Sequence, residues 1–226
     1  MDGPVKRLLQ RAALYCAFRL NTRRVTTIAR AAGFRLVVPP TVFHPRFFLT
    51  SEFFADFISR LDLLGKRVID VGTGTGILAL AAARAGALSV LALDINPNAV
   101  YAAAENASAN GLAHCVTAVC SDLLSAVPPG QKFDVILSNM PLLPKEPADL
   151  AHRSWYAGRD YRDIIPLYQQ ARDRLAPTGR MYVLTSSEID MPAVSVFFER
   201  AHFRARPVHQ RSHLIESVFI YELRPE

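Results

Sequence analysis

The 226 residues carry 26 Lys and Arg against 20 Asp and Glu, a formal charge of +6. Half of them are hydrophobic and a fifth charged, which excludes global disorder, and the length suits one α/β domain with a modest appendage. Three cysteines, Cys16, Cys115 and Cys120, exclude a disulfide framework and a tetrahedral zinc site, and no apolar run reaches the roughly 20 residues a bilayer span needs. A soluble protein of the reducing cytoplasm, with no membrane partner and no metal, is the expectation.

The positive charge is unevenly placed. Residues 1–67 hold 12 basic against 4 acidic side chains, and residues 68–150 hold 3 against 7. A basic first third suits an anionic partner such as RNA, a membrane surface or an acidic protein, and a solvated Arg-rich surface is the plainer reading.

Residues 4–20 place Val5, Leu8, Leu9, Ala12, Cys16 and Leu20 at helical spacing, with Lys6, Arg7, Gln10 and Arg11 on the other side, so an amphipathic helix is predicted. Residues 35–42 read as a short extended piece broken by Pro39 and Pro40. A helix capped by Thr50 or Ser51 then runs to Leu63. Residues 1–65 are therefore expected to form an N-terminal helical extension or lid, and residues 66–226 the main domain.

From Lys66 onward, apolar runs of strand length alternate with Ala-rich helical stretches, the pattern of βαβ units on a parallel sheet. Strands are predicted at 67–71, 89–94, 116–121, 133–138 and 180–185. Helices are predicted at 77–85, 98–110, 164–175 and 192–201, with Gly86 and Gly111 as helix stops. Residues 207–213 and 217–223 read as two strands close enough to pair antiparallel. The expected fold is α/β and Rossmann-like: a seven-stranded, mostly parallel sheet with an antiparallel C-terminal hairpin.

The first of these strands ends in Val68-Ile69-Asp70-Val71-Gly72-Thr73-Gly74-Thr75-Gly76 and runs directly into a helix. Glycines there let a ligand approach the backbone. Asp94, at the end of the next strand, is placed to accept from two ribose hydroxyls. The spacing disfavours a dinucleotide. The pyrophosphate fingerprint G-x-G-x-x-G would put its third glycine at Ile77, and an acid at Asp70 repels a pyrophosphate. Two carboxylates suit a nucleoside with a sulfonium and an ammonium group, which describes S-adenosylmethionine.

The run VIDVGTGTG, then LALDIN, SDLL and SNMPLL at the ends of successive strands, resembles the class I S-adenosylmethionine-dependent methyltransferases. More narrowly it is similar to the branch whose fourth strand ends in Asn-Pro-Pro-aromatic, which includes release-factor glutamine and ribosomal RNA guanine N2-methyltransferases ("methyltransferase small domain"). The resemblance spans about residues 66–186. It implies that Gly72, Thr73, Gly74 and Gly76 line the methionine portion of the cofactor, with Asp70 near its ammonium group and Asp94 on the ribose. It further implies Ile95 and Asn96 beside the adenine, Asp122 accepting from the adenine amino group, and Leu123 donating a backbone N–H. Ile95 and Leu123 could equally be core residues.

The tetrapeptide of that branch stands here as Asn139-Met140-Pro141-Leu142. A carboxamide oxygen from Asn139 and the backbone carbonyl of Met140 can hold an acceptor NH2 by its two hydrogens and aim its lone pair at the methyl group, while Pro141 stiffens the turn. Leu142 replaces the aromatic residue that stacks on a planar acceptor, which removes about 1–3 kcal/mol of stacking. Trp155 or Tyr156, in the long connection after this strand, could supply the missing aromatic wall; Trp155 could instead pin the loop to the core. His44 suits a general base, its unperturbed pKa being about 6.5.

The expected activity is methyl transfer from S-adenosylmethionine to an amide or amine nitrogen of a protein or a small molecule. A small-metabolite O-methyltransferase and an RNA base methyltransferase are the alternatives, with RNA favoured only by the basic first third. A nicotinamide-dependent oxidoreductase or an inactive cofactor-binding subunit stands further off.

Overall fold

The structure is a computed structural model that describes residues 25–46, 50–139, 141, 143–187, 189–212 and 217–226. The helix predicted at residues 4–20, together with Met140 and Leu142, lies outside the described residues.

Strands β1 (Thr27–Ala31) and β2 (Phe34–Val38) form an antiparallel hairpin. It turns through Ala32 and Gly33, both at positive φ, as a two-residue turn compatible with strand twist requires. Sequence reasoning found only part of the second strand. The turn is Ala-Gly rather than Asn-Gly, and alanines weaken the strand signal of Thr27–Ala31, although Ala29 and Ala31 are buried and alternate with exposed neighbours. The described part of residues 1–65 is thus a hairpin followed by a helix, not helix alone. That helix, α1 (Thr50–Ile58), stops short of Leu63. The Ser59 hydroxyl donates to the Asp56 carbonyl, competing with the helical ladder.

The main sheet has the order β5-β4-β3-β6-β7-β9-β8. Its members are β3 (Arg67–Val71), β4 (Ser89–Asp94), β5 (Val116–Cys120), β6 (Phe133–Ser138), β7 (Leu175–Ser186), β8 (Phe203–Ser212) and β9 (Ser217–Pro225). Strands β3 to β7 pair in parallel, and β9 runs antiparallel to both β7 and β8. The predicted Rossmann-like sheet with its C-terminal hairpin is what the chain forms. Strand β7 begins earlier than expected, at Leu175, because the chain enters the sheet straight from the preceding helix and its register against β6 breaks between Phe133 and Val135.

Helices α2 (Ile77–Arg84) and α3 (Pro97–Ala109) pack with α1 and the hairpin on one face. Helices α5 (Ile165–Arg174) and α6 (Met191–Arg200) cover the other, and a short α4 (Leu150–Arg153) lies in the loop after β6. The central strands are buried on both faces, as Val68 and Ile69 show side by side, and this is why they read as continuous apolar runs.

Helix α3 also closes the hairpin's free edge. Asn106 is fully buried, and its carboxamide accepts from the Val37 N–H at 2.6 Å and donates to the Val37 carbonyl at 3.0 Å. One turn on, Asn110 accepts from the Arg35 N–H and donates to its carbonyl. Two side chains four residues apart thus take the place of a neighbouring strand, satisfying backbone groups that burial would otherwise leave unpaired. Among the described residues no helix is long and apolar enough to cross a membrane.

Candidate functional site

The glycine loop joins β3 to α2 and is drawn over the end of β4. The N–H groups of Gly72 and Thr73 both donate to the Leu93 carbonyl at 2.9 Å, and the Gly76 N–H donates to the Thr73 carbonyl at 2.8 Å. Gly72, Gly74 and Gly76 all have positive φ. Their surroundings differ. A Cβ on Gly74 would meet nothing within 4 Å, whereas one on Gly76 would stand 3.0 Å from the Ala103 Cα of α3. Gly74 therefore borders open space, and Gly76 is there to let two helices approach. Sequence reasoning assigned both to the ligand.

Asp70 is completely buried. Its Oδ2 accepts from the Thr73 hydroxyl at 2.6 Å and from the Ala79 N–H at 3.2 Å, so one carboxyl braces both the loop and the first turn of α2. Its Oδ1 has no partner. Burial pushes the Asp70 carboxyl up to about 7, against the pull of the Thr73 and Ala79 hydrogen bonds, with the charge of Asp94 adding to the rise.

Asp94 ends β4 and is partly exposed. Its Oδ2 accepts from the Gly74 N–H at 2.9 Å and its Oδ1 from the Asn96 N–H at 2.9 Å. Burial raises its carboxyl above the ordinary range, and backbone hydrogen bonds from Asn96, Gly74 and Ile95 oppose the rise. Asp70, Gly72, Thr73, Gly74 and Asp94 are therefore one hydrogen-bonded assembly.

Asn96 serves another purpose at the side-chain level. It caps α3 by accepting from the Asn98 N–H at 3.0 Å, and it donates to the carbonyl and hydroxyl of Thr41 at 3.2 and 3.0 Å. This ties residues 39–46 across the end of the sheet. Ile95 is half-buried, Asp122 is exposed, and the Leu123 side chain is buried in the core at positive φ.

At the end of β6 stands Asn139, partly buried, its Nδ2 donating to the Ser51 hydroxyl of α1 at 3.5 Å. Beside it, the Ser138 and Thr185 hydroxyls are buried without partners. In the loop beyond, Trp155 is buried with its ring 5.1 Å from that of Phe43. Tyr156 is more accessible, stacked on His152 at 5.8 Å and bridged to Leu143. His44 is half-buried and its imidazole pKa is lowered, first by burial and then by Arg46. Thr41, Ser51 and Asn106 escaped sequence reasoning. Only Asn106 and the C-capping Asn110, spaced by four, offered a signal, and the strand at Thr27–Ala31 that makes a hairpin of their partner was not foreseen.

A family model described as ribosomal protein L11 methyltransferase (PrmA) matches residues 50–143. A ribosomal protein L11 methyltransferase of Actinobacillus succinogenes is 41% identical over 91 residues, 40% of this chain and 30% of that protein. The chain thus spans under a third of the length of that relative. A putative protein N5-glutamine methyltransferase of Methanocaldococcus jannaschii is 31% identical over 165 residues, covering 71% of this chain and 80% of that protein. This chain belongs to the class I S-adenosylmethionine-dependent methyltransferases. Two solved structures have the same fold. The ribosomal protein L11 methylase of Lactobacillus delbrueckii subsp. bulgaricus matches with a TM-score of 0.60, 25% identity and coverage of 83% of this chain and 84% of that one. The T. thermophilus 16S rRNA N2 methyltransferase RsmC, in complex with AdoMet and guanosine, matches with a TM-score of 0.67, 20% identity and coverage of 89% and 50%.

The cofactor of this methyltransferase family is S-adenosylmethionine, and the residues present fit it. Open space lies where a Cβ on Gly74 would stand. The backbone N–H groups of Gly74 and Asn96 donate to Asp94, that of Ile95 also stabilises it, and since a carboxylate has about four acceptor sites, capacity for a ribose hydroxyl remains. The unpartnered Oδ1 of Asp70 is stabilised in its ionised form by a nearby cation. Asp70 is fully buried beneath the loop it braces.

Proposed function

We propose that this chain transfers a methyl group to the amide or amine nitrogen of a protein side chain. When bound, S-adenosylmethionine supplies an electrophilic methyl carbon. The observation that carries the reading is Asn139: it follows the last residue of β6, the strand next to β3, and its Nδ2 is turned to the Ser51 hydroxyl at 3.5 Å, which makes the carboxamide oxygen the place for an incoming donor. An acceptor N–H can fill that place, leaving the nitrogen lone pair directed away from Asn139. Asp94 orients the nucleoside, Gly74 leaves room for it, and Asp70 favours a positive ligand. His44, held neutral by burial beside Arg46, takes the proton that the methylated nitrogen releases. The contact between Phe43 and Trp155 brings its segment against the acceptor loop.

Two further facts support a protein acceptor. The relative covered over 80% of its length is named a putative glutamine methyltransferase, and the matching family model is named for a ribosomal protein. Incubation of the purified chain with methyl-labelled cofactor and a cell extract tests it. Label in protease-sensitive, nuclease-resistant material is expected. Label removed by nuclease would replace the protein reading with RNA base methylation, and label in small molecules would replace it with metabolite methylation.

A further inference from the structure

The connection from the N-terminal hairpin toward α1 holds a strained residue. The Val42 N–H donates to the Pro39 carbonyl at 3.3 Å, closing a turn with Pro40 and Thr41 at its two central positions. Thr41 has φ +70°. A turn with Pro at the first central position and positive φ at the second is of type II, and that second position ordinarily takes Gly or Asn. A β-branched residue there is an outlier. It persists only where its surroundings hold it, and such outliers gather at ligand clamps and switch segments.

What holds Thr41 here depends on its side chain. Asn96 Nδ2 donates to its carbonyl at 3.2 Å and to its hydroxyl at 3.0 Å, while Asn98 Nδ2 donates to the same hydroxyl at 3.2 Å and to the Pro40 carbonyl at 3.4 Å. Glycine would suit the backbone but lose the hydroxyl. Asn96 is buried and engaged on every side, since its N–H donates to Asp94 Oδ1, its carboxamide oxygen caps α3 and its Nδ2 holds Thr41. The latch therefore shares a residue with the carboxylate assigned to the ribose.

Two residues on, the Phe43 ring meets that of Trp155 at 5.1 Å, in the loop that follows β6. The sheet order β4-β3-β6 puts the two anchors, Asn96 and Trp155, on either side of β3, whose flanking strands stand about 10 Å apart at two strand spacings. Between them lie the glycine loop and the open space beside Gly74. A nucleoside held at Asp94 with its methyl group toward Asn139 runs along the same line, so residues 41–43 span it.

We propose that Thr41 is a positioning residue: its hydroxyl latches residues 39–46 across the mouth of the cofactor site, and methyl donor and spent product exchange when that latch opens. Backbone strain favours release, and the bonds from Asn96 and Asn98 favour closure. A ribose on Asp94 steadies the neighbouring Asn96 and shifts the balance toward the closed form. The inference rests on the cofactor lying at Asp94 and holds whichever acceptor is methylated.

Release of S-adenosylhomocysteine from the full chain on rapid dilution, followed by the emission of Trp155, tests it. Trp155 is the chain's single tryptophan, and opening withdraws Phe43 from its ring. Thr41→Val keeps the shape but removes the hydroxyl, and release should be about 5- to 10-fold faster, the effect of about one hydrogen bond of ordinary net strength. Thr41→Ser should release at the parent rate. Thr41→Gly suits the turn but lacks the hydroxyl, so it should be no less stable than the parent in thermal unfolding and still release faster. If Thr41→Val folds poorly, Asn98→Ala removes one donor to the hydroxyl, leaves the α3 cap in place and should also speed release. Parent-rate release from folded Thr41→Val, Thr41→Gly and Asn98→Ala overturns the proposal, as does release by Thr41→Ser as fast as by Thr41→Val. Should Asp94→Ala lose affinity in that same series, the cofactor site stands without a latch; failure of the parent to bind S-adenosylhomocysteine removes both.

Discussion

The carboxamide of Asn106 holds both backbone groups of Val37 and also donates to the Thr75 carbonyl at 2.9 Å. One buried side chain therefore ties the N-terminal hairpin to the glycine loop. Asn106→Ala would leave the Val37 N–H, the Val37 carbonyl and the Thr75 carbonyl without this partner. Since a buried unsatisfied group costs about 1–3 kcal/mol, the expected loss of stability is about 3 kcal/mol, read from the urea midpoint at unchanged slope. A loss below about 1 kcal/mol would show that the hairpin edge is satisfied in some other way.

Asp94→Ala removes the acceptor of the Gly74 and Asn96 N–H groups along with the proposed ribose contact. Hydrogen bonds to a charged group contribute about 1.5–3 kcal/mol, so affinity for S-adenosylhomocysteine should fall by roughly 10- to 150-fold in a calorimetric titration. Unchanged affinity removes Asp94 from the cofactor site.

Gly74 borders open space and Gly76 the Ala103 backbone. Both have positive φ, and an L residue there costs about 1–2 kcal/mol. Gly76→Ala adds a clash with Ala103, and overpacking of about 1–3 kcal/mol should make it the more destabilising in thermal unfolding. Gly74→Ala should instead show the larger loss of cofactor affinity relative to its loss of stability. The reverse ranking would exchange the two roles.

The Asp70 carboxyl, raised to about 7 in the folded chain from 3.8, binds a proton over a pH range in which the unfolded chain has released it. Stability should therefore fall as pH rises from about 4 to about 7 and then level off. The Asp70→Asn variant should lack that part of the slope, on the order of 4 kcal/mol at about 1.4 kcal/mol per pH unit. Cofactor affinity should run the other way, tightening as Asp70 ionises near pH 7, because an anion beneath the loop favours a cationic ligand. Parallel pH profiles for the two proteins would refute the assignment.

Asn139→Ala tests the acceptor end. Affinity for S-adenosylhomocysteine should stay within about threefold of the parent while kcat falls, the pattern of a contact made on the reacting group. Equal losses in both would make Asn139 a structural residue that secures Ser51.

The strands β3, β4 and β6 and the helices α2 and α3 were legible within a residue or two, because local periodicity and strand length are properties of short segments. Asp70 and Asp94 were legible for a related reason: strand, glycine turn and helix follow each other directly, so the acid's place is set by the chain itself. The hairpin at Thr27–Ala31 and Phe34–Val38 was legible only in part of its second strand. Its outer edge is satisfied by Asn106 and Asn110, some 70 residues away in sequence, and no local pattern records that pairing. The same holds for Gly76, whose necessity comes from Ala103.

The sequence by itself thus determined the class of fold, the acidic balance of its middle third and the order of the motifs, since these depend on composition and near neighbours. Only the tertiary structure decided which glycine borders open space and which borders a helix, that Asp70 is sealed beneath the loop rather than exposed beside it, and that Arg180, Arg206 and Arg224 meet at the Glu222 carboxylate. The +6 of the chain looked concentrated in its first third. Folding shows a second concentration on the C-terminal hairpin, because antiparallel register brings Arg204 against Arg224 although 20 residues of chain separate them.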